Sequence, residues 1–449
     1  MKLKSTRGMA PESNFIDAIF KGLAPDGGLY HPVEIKSLKS TFARLSADSS
    51  FIDVAKAVAL PWLSDEWDEA AIDRIVKRAF SFEPALRKID DNTSLLELFH
   101  GPSSAFKDFG ACFLASCMEE ALSCQQRRAL ILVATSGDTG SAVAQAFHNK
   151  HNIDVVILYP SGRVSLLQEK QLTTLGGNVH ALEVGGSFDD CQRMVKEAFQ
   201  KKDLADALQQ ASAISLTSAN SISIGRLLPQ SFYYVYAYAK LKDEIDGDLV
   251  VCVPSGNFGN LTAGVYAWTW GLSVKEFIAA TNVNDVVPEY LKTELYSPRA
   301  SVQTLSNAMD VGNPSNFERL QAIFENDARK MAEIIKGEVV TDSQTRETMA
   351  ALYKSSGVFV DPHTAVGLCA AARYLGKDGR KKDHVVVLST AHPAKFLEIV
   401  EETTGAQPEI PANIQKALKL PKQSVKVPNT LEALEEFLRN TFCIKQACI

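Results

Sequence analysis

The stretch Ala129-Leu130-Ile131-Leu132-Val133-Ala134-Thr135-Ser136-Gly137-Asp138-Thr139-Gly140-Ser141 decides the fold class. Ala129–Thr135 is an unbroken apolar run of strand length, as expected of a strand buried on both faces. The glycines after it permit a tight turn, and Ala142–Asn149 then reads as a helix. Strand, glycine-bearing loop and helix in that order form the repeating unit of a parallel sheet covered by helices. At such a junction the free N–H groups of the helix start make an anion cradle, to which Ser136, Thr139 and Ser141 add hydroxyl donors. Ser, Asp and Thr are also good helix caps, so the loop alone leaves binding and simple capping both open.

Outward from this stretch the pattern repeats. Ile153–Tyr159, Val179–Val184, Leu249–Pro254, Phe277–Thr281 and His384–Ser389 read as buried strands. Phe188–Ala205, Gly225–Lys242 and Gln344–Ser355 read as amphipathic segments between them. Alternation of this kind predicts an α/β protein with more than one parallel sheet. The organisation expected is a helix-rich N-terminal region (1–94), a smaller α/β domain (95–205) and a larger one (206–449). The N-terminal region carries the turn-dense Gly22-Leu23-Ala24-Pro25-Asp26-Gly27-Gly28-Leu29-Tyr30. Pro408–Pro428 reads as a connection to a final amphipathic helix, Thr430–Asn440.

With 449 residues the chain is long enough for two or three cores. A net charge of −6, with no basic run longer than Arg380-Lys381-Lys382, argues against nucleic acid as a partner. The N-terminus lacks the apolar segment of a secretory signal, and no apolar stretch is long enough for a membrane span. Cys112, Cys117, Cys124, Cys191, Cys252, Cys369, Cys443 and Cys448 are scattered without a Cys-x-x-Cys pair, so no metal site is expected. Free thiols suit a reducing cytoplasm, and Cys448 lies too near the end for prenylation. Monomer and homodimer are both compatible with this composition.

Chemistry concentrates in His100-Gly101-Pro102-Ser103-Ser104-Ala105-Phe106-Lys107-Asp108-Phe109-Gly110. Lys107 follows an apolar run and a Gly-Pro turn, and opens an apolar helix-like segment from Phe109 to Met118. A lysine partly desolvated there has a lowered pKa and can act as a Schiff-base nucleophile; the plainer alternative is a surface lysine paired with Asp108. The strand Leu249–Pro254 runs into a second loop, Ser255-Gly256-Asn257-Phe258-Gly259-Asn260, where backbone and Asn donors can approach an anion. It lacks the third glycine of the dinucleotide fingerprint, which argues against a nicotinamide-dependent oxidoreductase. A third loop, Thr390-Ala391-His392-Pro393-Ala394-Lys395-Phe396, follows His384–Ser389 and puts a hydroxyl at a strand end, where open α/β sheets place ligand contacts. One amine and two anion cradles together fit pyridoxal 5'-phosphate, which carries an aldehyde and a phosphate, and an anionic substrate.

These motifs, with Leu158-Tyr159-Pro160-Ser161-Gly162, Leu175-Gly176-Gly177-Asn178, Ser218-Ala219-Asn220-Ser221-Ile222, Asn307-Ala308-Met309-Asp310-Val311 and Gly27-Gly28-Leu29-Tyr30, resemble in order those of the bacterial threonine synthases. The resemblance runs over nearly the whole chain. It implies a fold-type-II pyridoxal-phosphate enzyme, a carbon–oxygen lyase that converts O-phospho-L-homoserine and water to L-threonine and phosphate, the last step of threonine biosynthesis. Lys107 would then carry the cofactor as a Schiff base and act as the catalytic base. Gly256, Asn257, Phe258, Gly259 and Asn260 would line the cup for the cofactor phosphate, and Thr390 would face the pyridine nitrogen. Thr135, Ser136, Gly137, Asp138 and Thr139 occupy the place of the substrate-carboxylate loop, with Asp138 near the cofactor's phenolic oxygen. Arg163, Asn220, Ser221 and Arg226 are candidates for the substrate phosphate. The same scaffold also accommodates a phospho-lyase releasing 2-oxobutyrate, or a non-catalytic paralogue.

Overall fold

The structure, a computed structural model, describes residues 1–123 and 127–443. Cys124, Cys448 and the terminal residues considered for prenylation lie outside the described residues. The strands are β1 (Leu3–Ser5), β2 (Tyr30–Pro32), β3 (Ala85–Lys88), β4 (Thr93–Glu97), β5 (Arg128–Ala134), β6 (Ile153–Pro160), β7 (Val179–Gly185), β8 (Ile214–Thr217), β9 (Leu249–Pro254), β10 (Glu276–Thr281), β11 (Ile335–Val339), β12 (His384–Ser389) and β13 (Ser424–Pro428). β1 and β2 form a small antiparallel ribbon. One sheet has the order β11-β10-β9-β12-β4-β3 and is parallel except for β3, and the other is all parallel in the order β13-β7-β6-β5-β8. The α/β class and the apolar strands read from sequence are therefore present. β6, β9, β10 and β12 are buried along their whole length, because helices cover both faces.

The boundaries drawn at 94/95 and 205/206 cut across both sheets. β4, which straddles the first boundary, pairs with β12 of the larger sheet, and β8 pairs with β5 of the smaller one. β13, inside the supposed connection Pro408–Pro428, returns to pair with β7. Its helix Leu431–Phe442 then packs Leu434 and Leu438 into the smaller sheet's core. Two segments read as single helices are divided. Phe188–Gln200 and Lys202–Ser212 break at Lys201, whose backbone is extended. Gly225–Lys242 splits into Ile224–Leu227 and Gln230–Leu241 around Pro229, and the second piece is buried nearly all round instead of amphipathic. Its polar Gln230, Ser231, Tyr233 and Tyr234 mimic a solvent face in sequence, but each finds a partner inside the protein.

The helix Lys107–Leu122 ties these parts together. Phe109 makes edge contacts with Phe51, Phe82 and Tyr233, and Phe113 with Phe232, so helix Phe51–Leu63 and its neighbours press on one face. Each such buried ring contributes about 1.5–3 kcal/mol. Gly110 lets the next helix approach: a Cβ there would lie 2.7 Å from the Arg226 carbonyl oxygen. The N-terminal helices thus brace the residue at the start of this helix, Lys107.

Candidate active site

A cavity of about 410 Å³ opens where loops after β9 and β12 meet loops of the smaller sheet. Lys107, residues 255–260 and Thr390 line it, as do Thr139, Ser221 and Arg226. Residues far apart in the chain converge because both sheets present strand C-termini to the gap.

Lys107 heads its helix, and the loop before it is strapped to the exit of β12. Phe106 N–H donates to Thr390 C=O at 2.8 Å, and Ala105 bridges to Ala391. Ser104 takes a left-handed φ of 57° to make the bend. Asp108 does not pair with Lys107 here: it is fully buried and its Oδ2 accepts the Ser103 N–H at 2.9 Å. Gly101 makes room for it, since a Cβ would lie 2.4 Å from that oxygen. Burial pushes the Asp108 carboxyl up to about 6. The plain reading of Lys107 as a surface residue is excluded, because its side chain is 18% exposed and faces the cavity. Nζ stands 3.8 Å from Asp138 Oδ2. Burial lowers the lysine's pKa; Asp138 opposes this, and the cations of Lys395 and Arg226 reinforce it.

The loop after β5 is built around Thr135. Its Oγ1 accepts N–H bonds from Gly137 at 3.0 Å and Gly140 at 2.9 Å, so this hydroxyl shapes the turn instead of pointing outward. Gly137 has φ of 146°, a conformation reserved for glycine. The helix begins at Asp138, earlier than the sequence pattern suggested, so 138–141 form its first turn. Thr139 lines the cavity, Ser136 is exposed, and Asp138 lies behind the wall. Burial alone would raise the Asp138 carboxyl; Lys395 and Lys107 outweigh it and hold it well below the usual range.

In the loop after β9, a Cβ on Gly256 would lie 2.6 Å from Met309 Cα, so the loop can sit there only as glycine. Phe258 adopts a left-handed φ of 60° to start the helix Gly259–Thr269. Asn257 is tied down through Oδ1 to the Ser315 N–H and through Nδ2 to Ser221 Oγ. Asn260 is the informative residue. Its Oδ1 accepts the Tyr233 and Tyr234 hydroxyls at 2.6 and 2.7 Å, which fixes the amide, while Nδ2 is buried without a partner. Arg226 behaves likewise: Nη1 donates to Ala219 C=O at 2.8 Å, and the buried Nε has no partner. Burial lowers its pKa to about 10, still well above neutrality. Unpaired buried donors are costly and rare. With Lys107 lining the same cavity, the Asn260 donor fits a phosphate-bearing aldehyde, so the residues present fit pyridoxal phosphate, and the Arg226 donor is left for a second anion.

Thr390 is buried at the end of β12. Beneath it Ser389 Oγ meets Thr364 Oγ1 at 2.9 Å, and Thr364 in turn donates to Asp361. Asp361 Oδ1 also holds His363 Nδ1 at 2.7 Å, and His363 Nε2 accepts the Ala308 N–H at 3.1 Å. Of the substrate-phosphate candidates, Ser221 and Arg226 line the cavity. Asn220 lines a neighbouring cavity with Lys21 and Phe199, and Arg163 is exposed and outside both. Sequence reasoning missed Gln192, Gln230 and His363 in the wall and Lys395 behind it. Only Lys395 had a signal, as the one cation in an otherwise apolar turn after β12.

Three family descriptions match the chain. The description "Pyridoxal-phosphate dependent enzyme" matches residues 93–390, "Threonine synthase N terminus" matches 2–80 and "Threonine synthase, C-terminal" matches 364–438. A threonine synthase from Serratia marcescens is 41% identical over 438 residues, covering 98% of this chain and 99% of its own. The crystal structure of PLP-bound threonine synthase from Brucella melitensis superposes with a TM-score of 0.90 at 36% identity, covering 99% of this chain and 100% of that one. The yeast threonine synthase structure gives 0.89 at 32% identity, over 98% and 97% of the two chains.

Proposed function

The chain belongs to the threonine synthase family, and from that premise we propose that it is a pyridoxal-phosphate-dependent threonine synthase acting on O-phospho-L-homoserine and water. One observation carries the assignment to this cavity: Lys107, the unpartnered Asn260 Nδ2 and Thr390 border a single space from three separate stretches of chain.

When bound, pyridoxal phosphate supplies an aldehyde that captures amines and a conjugated ring that withdraws electrons from Cα. Lys107 would hold it and would serve as the base that moves the proton at Cα. His363 is a poor rival, since both its ring nitrogens are already engaged. Asn260 Nδ2 and the N–H groups at the start of helix Gly259–Thr269 hold the cofactor phosphate. Gly256 lets the backbone come close enough to do so. Thr390 would face the ring nitrogen as a neutral hydroxyl, which cannot stabilise a protonated ring as a carboxylate would. The 135–139 loop receives the substrate carboxylate, and Thr139 is its member in the cavity wall. Arg226 and Ser221 receive the substrate phosphate, Arg226 through its free Nε.

The described cysteines Cys112, Cys117, Cys191, Cys252, Cys369 and Cys443 are all free, which supports a reducing, cytoplasmic setting. Among the described residues no helix is long and apolar enough to cross a membrane. The test is to incubate the purified, cofactor-loaded protein with O-phospho-L-homoserine and quantify phosphate, threonine and 2-oxobutyrate together. Threonine equal to phosphate is expected; 2-oxobutyrate in its place would make the protein a phospho-lyase instead of a synthase, and no phosphate would refute the substrate.

A further inference from the structure

Lys395 lies in the turn Pro393–Phe396 beyond β12, and nothing in the mechanism above uses it. Its side chain is fully enclosed. Nζ stands 2.8 Å from Asp138 Oδ1 and donates to Ser103 C=O at 2.9 Å. An enclosed ammonium is costly unless paired, so packing alone does not explain a lysine where leucine or methionine would fill the space. Its partner is the same carboxylate that stands 3.8 Å from Lys107 Nζ. Gln168 Nε2 also donates to Oδ1, at 3.0 Å, which leaves Oδ2 turned toward Lys107.

We propose that Lys395 is a positioning residue for Lys107: it neutralises Asp138, anchors that carboxylate to the loop before Lys107, and so leaves Lys107 as the free amine. The charge balance explains why. A carboxylate alone beside Lys107 would hold it as an ammonium, which cannot attack an aldehyde or take a proton from Cα. With Lys395 on the other oxygen, one negative charge is shared by two lysines, and Lys107, at 3.8 Å against 2.8 Å for Lys395, gives up its proton. The other charged groups around Lys107 are Arg226, which pushes the same way, and Asp108, which opposes. His363 lines the same cavity. The proposal deepens the threonine synthase reading and rests on Lys107 being the cofactor-bearing amine.

The test uses the full-length holoenzyme. The absorbance of the bound cofactor against pH reports protonation at Lys107 Nζ, and borohydride reduction followed by peptide mass spectrometry reports which lysine carries the cofactor. Lys395→Met should raise the pH midpoint by about 1–3 units, the effect of an opposite charge at this distance once it is no longer shared. Lys395→Arg should restore a midpoint near that of the unaltered protein, and Asp138→Asn should lower it. If Lys395→Met does not fold, Lys395→Met with Asp138→Asn is compared with Asp138→Asn alone, where a smaller rise is expected. A midpoint unchanged or lowered by removing Lys395, with the reduced cofactor still on Lys107, overturns the role of Lys395 alone. A cofactor found on a different lysine overturns the reading of Lys107 and this proposal with it. Loss of folding in both Lys395→Met backgrounds would confine Lys395 to the fold and overturn it as well.

Discussion

Replacing Asn260 with Asp separates the part of this residue that holds the protein together from the part that meets the cofactor. The two side chains have the same shape, and an aspartate oxygen can still accept the Tyr233 and Tyr234 hydroxyls that lie 2.6 and 2.7 Å from Asn260 Oδ1. What is lost is Nδ2, a buried donor with no partner among the described residues. A hydrogen bond to a charged phosphate is worth about 1.5–3 kcal/mol, so cofactor binding should weaken by about 10–150-fold. A carboxylate some 4 Å from the phosphate would add about 4 kcal/mol of repulsion at an effective dielectric of 20. The Tyr233 and Tyr234 hydroxyls donate to the other oxygen and favour the ionised aspartate, which has no donor, so about tenfold is the least that should be seen. Asn260→Leu is the complementary variant: it leaves the buried Tyr233 hydroxyl with only Gln230 Oε1 at 3.5 Å, while Tyr234 keeps the Asn260 carbonyl at 2.9 Å. It should therefore lose about 1–3 kcal/mol of stability as well as cofactor affinity. Equilibrium titration of cofactor-free, full-length protein with pyridoxal phosphate measures the affinity, and urea unfolding measures the stability. An Asn260→Asp variant that folds normally and binds within about threefold of the parent would refute the assignment of this donor to the phosphate.

Lys107→Ala should remove the Schiff-base absorbance and lower turnover by at least about 10²–10⁴-fold, the usual contribution of a general base, as read by threonine formation. Gly256→Ala should cripple cofactor binding with little loss of secondary structure, because its Cβ would sit 2.6 Å from Met309 Cα and 2.9 Å from the Ala308 carbonyl, both backbone atoms; calorimetric titration would register it. Asp108 makes stability fall as pH rises: its folded-state pKa of about 6 exceeds the usual 3.8, so between those values the folded protein holds more protons than the unfolded one. Asp108→Asn should remove this slope, gaining up to about 3 kcal/mol on the parent across pH 4–6 in denaturant titrations; parallel curves for the two proteins would contradict it.

The residues that line the cavity from their own loops were legible in the sequence. Lys107, the 255–260 loop and Thr390 each sit at a strand–helix junction, where glycine, hydroxyl and amide residues leave a signal within a few positions. Their common cavity was not readable, since it arises from the meeting of two sheets. Thr135 looked like a ligand-facing hydroxyl and is instead consumed by its own loop. Arg163 had the right charge but stays exposed. Lys395 and His363 acquire meaning only through partners brought from elsewhere in the chain, Asp138 for one and Ala308 for the other. β13 is the same lesson at the level of fold: the short Ser424-Val425-Lys426-Val427-Pro428, mostly exposed, has too little apolar content to announce a strand, and the edge of β7 makes it one.

On the proposed reading, this cavity removes phosphate from Cγ of O-phospho-L-homoserine and places a hydroxyl from water on Cβ. Running the reaction in water enriched in oxygen-18 tests it most directly, with mass spectrometry of both products. Threonine should carry one oxygen-18 atom at Cβ and phosphate none. Oxygen-18 in the phosphate, with homoserine as the other product, would mean simple hydrolysis of the ester and would contradict it.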